Sequence, residues 1–188
     1  MFFGINLMVT IMKINYAMRF AAEKHKDQKR KITQEAYIFH PLEVALTVAQ
    51  NTSDQDVIIA AILHDTLEDT DTTVEEIETN FGSRVLSIIL ECSEKDKTLP
   101  WRQRKIKMLN AYPDLSEEAC LIILADKISN LNSIKYYYSN HIWDNFNAGE
   151  EDQKWICLQS LNILKQSCSK YPKLINQFRA LITTVFPD

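Results

Sequence analysis

Apolar residues recur along most of the chain at helical spacing. In residues 14–24, Ile14, Ala17, Met18, Ala21 and Ala22 fall at i, i+3, i+4, i+7 and i+8, one face of an amphipathic helix. Leu42, Val44, Ala45, Leu46, Val48 and Ala49 predict a second helix to about Gln50, with Pro41 suited to its first turn. Asn51, Thr52, Ser53 and Asp54 then form a turn and cap cluster. Residues 57–67 are almost wholly apolar, which favours a buried helix, and the polar stretch 70–73 should end it. Thr73 with Glu76 has the spacing of a capping box for a short helix. Phe81 and Gly82 mark a junction before a helix beginning near Val85. Further helices are expected over 101–109, over 117–137 with Ser116 as N-cap, over 150–170 and from 171 to about 185. Residues 95–100 and 139–149 read as loops.

No alternating segment, internal repeat or linker interrupts this pattern, and an all-α bundle is the economical fold. The 188 residues include only 3 Gly and 5 Pro, too few for a turn-rich sandwich or barrel. We expect a single domain over 1–188: an apolar extension (1–12), a motif-bearing core (13–137) and C-terminal helices (150–186). The net charge of −4 argues against a surface that coats nucleic acid. Cys92, Cys120, Cys157 and Cys168 form no C-x-x-C and match no zinc-finger spacing, so reduced, mostly buried thiols are expected. The apolar start is about half the length of a membrane span and lacks the basic flank and cleavage site of a signal peptide. Met8 and Met12 leave the true start open, and a soluble cytoplasmic protein is expected.

Candidate chemistry lies where apolar runs end in ionisable groups. His64 and Asp65 follow Ala60-Ala61-Ile62-Leu63, and Asp126 follows Leu121-Ile122-Ile123-Leu124-Ala125. An unpaired charge there would cost several kcal/mol, so each needs a partner. A divalent cation would satisfy them together, and a mixed imidazole and carboxylate set suits Mn²⁺, Fe²⁺ or Mg²⁺. His40 is a candidate second imidazole. If the 57–67 helix continues, Glu68 falls one turn after His64, beside Asp69, and Asn130 falls one turn after Asp126. Taken singly, each has a bland explanation: a hydrogen-bonded core histidine, a capping carboxylate or a solvated helix end. The basic run Lys24, His25, Lys26, Lys29, Arg30, Lys31 could be a solvated face or could meet a polyphosphate. Lys97, Arg102, Arg104 and Lys105 form a second such group, explained equally well as a charged helix face.

These residues fall within recognisable strings. Ala21-Ala22-Glu23-Lys24-His25, Lys29-Arg30-Lys31, Tyr37-Ile38-Phe39-His40-Pro41, His64-Asp65-Thr66-Leu67-Glu68-Asp69-Thr70 and Leu124-Ala125-Asp126-Lys127-Ile128-Ser129-Asn130-Leu131 closely resemble the RelA/SpoT-type HD-domain hydrolases of guanosine 3′,5′-bispyrophosphate (ppGpp). The likeness is greatest to the small stand-alone forms, including the metazoan SpoT homologues. It implies an all-α HD-domain bundle in which His40, His64, Asp65 and Asp126 bind one Mn²⁺. It further implies that Glu68 and Asp69 orient and activate the attacking water. Asn130, Arg30, Lys24 and Lys31 would lie along the substrate pocket. The implied reaction removes the 3′-pyrophosphate of ppGpp or pppGpp, leaving GDP or GTP. The implied partner is a small nucleotide, with no nucleic acid or membrane; homo-oligomerisation is left open.

The chain departs from that pattern in places. Asn132 stands where an Arg is common, segment 135–150 is longer, and Trp155 and Glu151 replace a Tyr and a basic residue. Trp155 could still stack on a base. These departures motivate two alternatives: the same chemistry on another nucleotide such as NADPH, or a non-catalytic nucleotide-binding module. Nothing resembles the synthetase or regulatory regions of the long RelA/SpoT proteins.

Overall fold

The computed structural model describes residues 2–94, 97–139 and 141–187, with side chains from residue 12 onward. These residues are helical throughout, apart from turns and one isolated antiparallel bridge between Lys29 and Ala36. The chain forms two compact units. The first takes in Met1–Lys29 and Glu35–Ser93, the second Arg30–Gln34 and Glu94–Asp188. No helix is long and apolar enough to cross a membrane among the described residues.

The first unit is built around α3 (Gln55–Leu63), whose Val57 and Ile59 to Leu63 are all buried. A helix apolar on every side has to be enclosed, and α1 (Phe2–Lys24), α2 (Phe39–Ala49) and α6 (Ser83–Cys92) pack against it. Each large aliphatic side chain removed from water there contributes roughly 1.5–3 kcal/mol. Ala17 and Ala21 on α1 are fully buried, and their small side chains allow close approach. α1 is longer than the helix expected over 14–24: its backbone continues through the apolar start as one element.

Caps set the boundaries. Asp54 accepts a hydrogen bond from the Asp56 N–H at the start of α3. Thr73 and Glu76 form the expected capping box on α5 (Val74–Phe81). Gly82, with φ +93°, turns the chain from α5 into α6, a conformation that L side chains rarely adopt.

One expectation fails here. The helix over 57–67 stops at Leu63, and a separate turn, α4 (Thr66–Asp69), follows the break at His64 and Asp65. Side chains take the carbonyls that would have continued the helix. His64 Nδ1 sits 2.8 Å from the Ala61 carbonyl, and the Thr66 hydroxyl donates to that of Leu63 at 2.7 Å.

The second unit contains α7 (Trp101–Ala111), α8 (Glu117–Tyr136), α9 (Glu150–Ser167) and α10 (Pro172–Val185). Ser116 caps α8 by accepting from the Ala119 N–H. Ala119 to Ala125 are buried against α10 and α9, with Phe178 of α10 fully enclosed. The loop expected over 139–149 holds a short 3-10 turn, Ile142–Asn145, with Ile142 buried and the Trp143 ring stacked on Phe186.

The cysteine expectation is corrected. Cys120 and Cys168 form a disulfide, their Cα atoms 5.5 Å apart, joining the start of α8 to the end of α9. Their 48-residue separation resembles no motif, and helix packing alone brings them together. Cys92 and Cys157 are not disulfide-bonded.

Candidate metal centre

The helix break gathers three of the expected ligands. His40 enters from the first turn of α2, and His64 and Asp65 occupy the break between α3 and α4. One ligand atom from each lies within 4.8 Å of the others. Both imidazoles are buried and the carboxylate is half-buried. A single oxygen, Asp65 Oδ2, is the hub. It lies 3.1 Å from His64 Nε2 and 3.5 Å from His40 Nε2, and it accepts a 2.7 Å hydrogen bond from the Tyr37 hydroxyl.

The tautomer of His64 follows from its neighbour. A carbonyl only accepts, so His64 Nδ1 carries the hydrogen that meets Ala61 O. In the neutral ring, Nε2 then presents a lone pair toward the carboxylate. Two lone pairs at that distance repel unless a cation or proton lies between them. The donors therefore fit a divalent cation, and the carbonyl anchor on the second nitrogen is usual for a ligating histidine. Burial alone would raise the Asp65 carboxyl; positive charge on the His64 and His40 imidazoles, with the Tyr37 hydroxyl, outweighs it and holds it well below the usual carboxylate range. With neutral imidazoles, a bound cation would supply that positive charge.

Glu68 and Asp69 follow immediately on α4, Glu68 half-buried and Asp69 exposed. They are held by the backbone rather than by one continuous helix: both their N–H groups donate to the Asp65 carbonyl. The Thr70 hydroxyl donates to the Thr66 carbonyl at 2.7 Å, and the Thr72 N–H returns to Thr70. The two threonines of the His-Asp-Thr string thus lock the turn that carries the carboxylates.

Asp126 and Asn130 lie on α8 in the second unit. Asn130 Nδ2 donates to Asp126 Oδ1 at 2.6 Å, and Lys127 reaches the other carboxylate oxygen at 3.8 Å. Arg30 belongs to the same unit, donating to Asn130 Oδ1 and to Ser133 Oγ at 2.9 Å. Its turn is closed by Gln34, which takes φ +61° and returns its side chain to the Arg30 and Lys31 carbonyls. Lys31 is exposed.

Lys24, expected along the substrate pocket, pairs through its ammonium with Glu76 at 3.1 Å and Asp71 at 3.2 Å. Three members of the second basic group form ion pairs within their unit. Arg104 and Lys105 both meet Glu94, and Arg102 meets Asp152. The Arg102 guanidinium also covers a face of Trp155, 4.2 Å from the ring centre. Sequence reasoning took the buried His25 only as a member of a basic run and Tyr37 only as part of a string. Neither has a charge or spacing that marks it; only the fold places Tyr37 against Asp65.

Comparison with known proteins places this geometry. The family model described as HD domain matches residues 17–144. A Xenopus tropicalis protein named guanosine-3′,5′-bis(diphosphate) 3′-pyrophosphohydrolase MESH1 is 48% identical over 122 residues, covering 63% of this chain and 68% of that protein. An Aquifex aeolicus protein named guanosine-3′,5′-bis(diphosphate) 3′-pyrophosphohydrolase is 58% identical over 124 residues, covering 65% of this chain but 18% of the much longer relative. A solved structure described as a metazoan orthologue of SpoT that hydrolyses ppGpp superposes with a TM-score of 0.73 at 30% identity, covering 90% of this chain and 96% of that one. With the His-Asp cluster, its following acidic pair and these likenesses together, the chain belongs to the HD-domain family and is a relative of the metazoan SpoT orthologues.

Proposed function

We propose that this chain is a Mn²⁺-dependent hydrolase of the 3′-pyrophosphate of ppGpp and pppGpp. The observation that carries the reading is the convergence of His40, His64 and Asp65 directly before Glu68 and Asp69. The names of the relatives supply the substrate class. His40, His64 and Asp65 hold the cation, and the family motif assigns Asp126 as the fourth ligand. A bound divalent cation neutralises phosphoryl charge and eases deprotonation of water. Glu68 takes the proton of the attacking water, and Asp69 helps to hold that water in line. The new bond forms between water oxygen and the phosphorus attached to O3′. The P–O3′ bond breaks and O3′ takes a proton in turn, from Glu68 or water, releasing pyrophosphate and leaving GDP or GTP. Asn130, Lys31, Arg30 and Lys24 contact the nucleotide and Trp155 offers its ring to the base, with Arg30 oriented by Asn130 and Ser133.

A second reading keeps the chemistry and changes the nucleotide. It is favoured by Arg102, anchored by Asp152, which already covers one face of Trp155 and so restricts stacking of a base there. Comparing kcat/KM for ppGpp, pppGpp and NADPH decides between the readings. The proposal expects ppGpp or pppGpp to lead; a clear lead for NADPH would replace it, and no turnover of any would point to a binding module.

A further inference from the structure

The Tyr37 hydroxyl donates to the hub oxygen of Asp65 at 2.7 Å and also lies 3.5 Å from Asp69 Oδ2. It therefore spans a cation ligand and a member of the acidic pair. The ring is fixed on two sides. It lies against the buried His25 imidazole, centroids 4.9 Å apart, and meets His40 edge-on at 5.8 Å. The backbone is fixed too, because the Tyr37 N–H donates to the Gln28 carbonyl at 3.0 Å.

Gln28 completes the brace. Its amide oxygen takes a 2.6 Å hydrogen bond from His25 Nδ1, and its amide nitrogen donates to the Asp69 carbonyl. Tyr37 and Gln28 thus hold this turn at two points, one side chain on Asp65 just before α4 and the other on the Asp69 backbone at its end. A carboxylate on a short turn rotates freely about its own bonds unless something stops it. Here the Tyr37 hydroxyl is the donor that does so.

We propose that Tyr37 is a positioning residue, its hydroxyl fixing the Asp65 carboxylate in the orientation that receives the divalent cation. The inference rests on the metal-site reading and extends it to a residue outside the ligand set. Outer partners of this kind typically contribute 10- to 100-fold in metal affinity.

The test is a Mn²⁺ titration followed by the electron paramagnetic resonance signal of the free ion, on wild type, Tyr37→Phe and Tyr37→Leu, with His64→Ala as control. Phe keeps the ring against His25 and His40 and removes only the hydroxyl. The expected result is 10- to 100-fold weaker Mn²⁺ binding in Tyr37→Phe. The melting temperature of its cation-free form should move far less than that of Tyr37→Leu. KM for the nucleotide should hold at saturating Mn²⁺. Wild-type binding retained in Tyr37→Phe, with loss only in Tyr37→Leu, would assign Tyr37 to packing and overturn the inference alone. Absence of Mn²⁺ binding in the wild type, or undiminished binding in His64→Ala, would overturn the site reading and this inference with it.

Discussion

Three side chains converge on one oxygen of Asp65, and this crowding divides labour between neighbouring carboxylates. Asp65 is surrounded by groups that favour its charged form. Glu68, one turn on and half-buried, is the carboxylate we assign to proton transfer. Glu68→Gln should therefore lower kcat by about 10²- to 10⁴-fold while leaving Mn²⁺ affinity close to wild type. Steady-state kinetics beside a metal titration checks this; a change confined to KM would remove Glu68 from the base role. Asp65→Asn should instead lose cation binding and turnover together, measured by the same pair of experiments.

At the scale of elements, the site depends on where α3 begins and ends. Its N-terminus is clamped by Asp54, which caps the helix and pairs with Arg84 of α6 at 2.7 Å, while Arg84 also meets Asp56. Arg84 holds the Asp54 carboxyl below its ordinary value. The contribution is thus complete above about pH 4 and fades as pH falls through the lowered native value. Asp54→Ala should cost about 1 kcal/mol at pH 7, the usual scale of a lost cap, and less at pH 3. Denaturant unfolding at the two pH values measures it; an equal cost at both would show that the charge pair contributes nothing. The C-terminus of α3 is where the sequence misleads. Apolar spacing continues through Leu67, but hydrogen bonds from His64 and Thr66 intercept the last carbonyls. Periodicity carries no trace of that competition. The capping box at Thr73 and the Ser116 cap were legible because their partners lie three residues away.

Across the whole molecule, what was legible followed the same division between local and distant. Helix order, and the identity of His40, His64 and Asp65 as a cluster, could be read from short strings. The attachment of Lys24 to Asp71 and Glu76, the cover of Trp155 by Arg102 and the Cys120–Cys168 bond join residues about 50 apart. The disulfide is the most direct of these to examine. Closing a loop of that length stabilises the fold by about 4 kcal/mol in the chain-entropy account. Thiol titration of unreduced protein in denaturant should find two of the four cysteines, and reduction should lower the melting temperature. Finding four would contradict the bond.

We propose above all that the His40–His64–Asp65 cluster serves a divalent cation in the hydrolysis of ppGpp. Nucleotide chromatography of purified protein incubated with ppGpp, with Mn²⁺, without it and with EDTA, tests this most directly. GDP and pyrophosphate should form in the Mn²⁺ sample, neither should form with EDTA, and both should be lost in His64→Ala. Turnover that survives EDTA or His64→Ala would contradict it, as would intact ppGpp beside protein with Mn²⁺ bound.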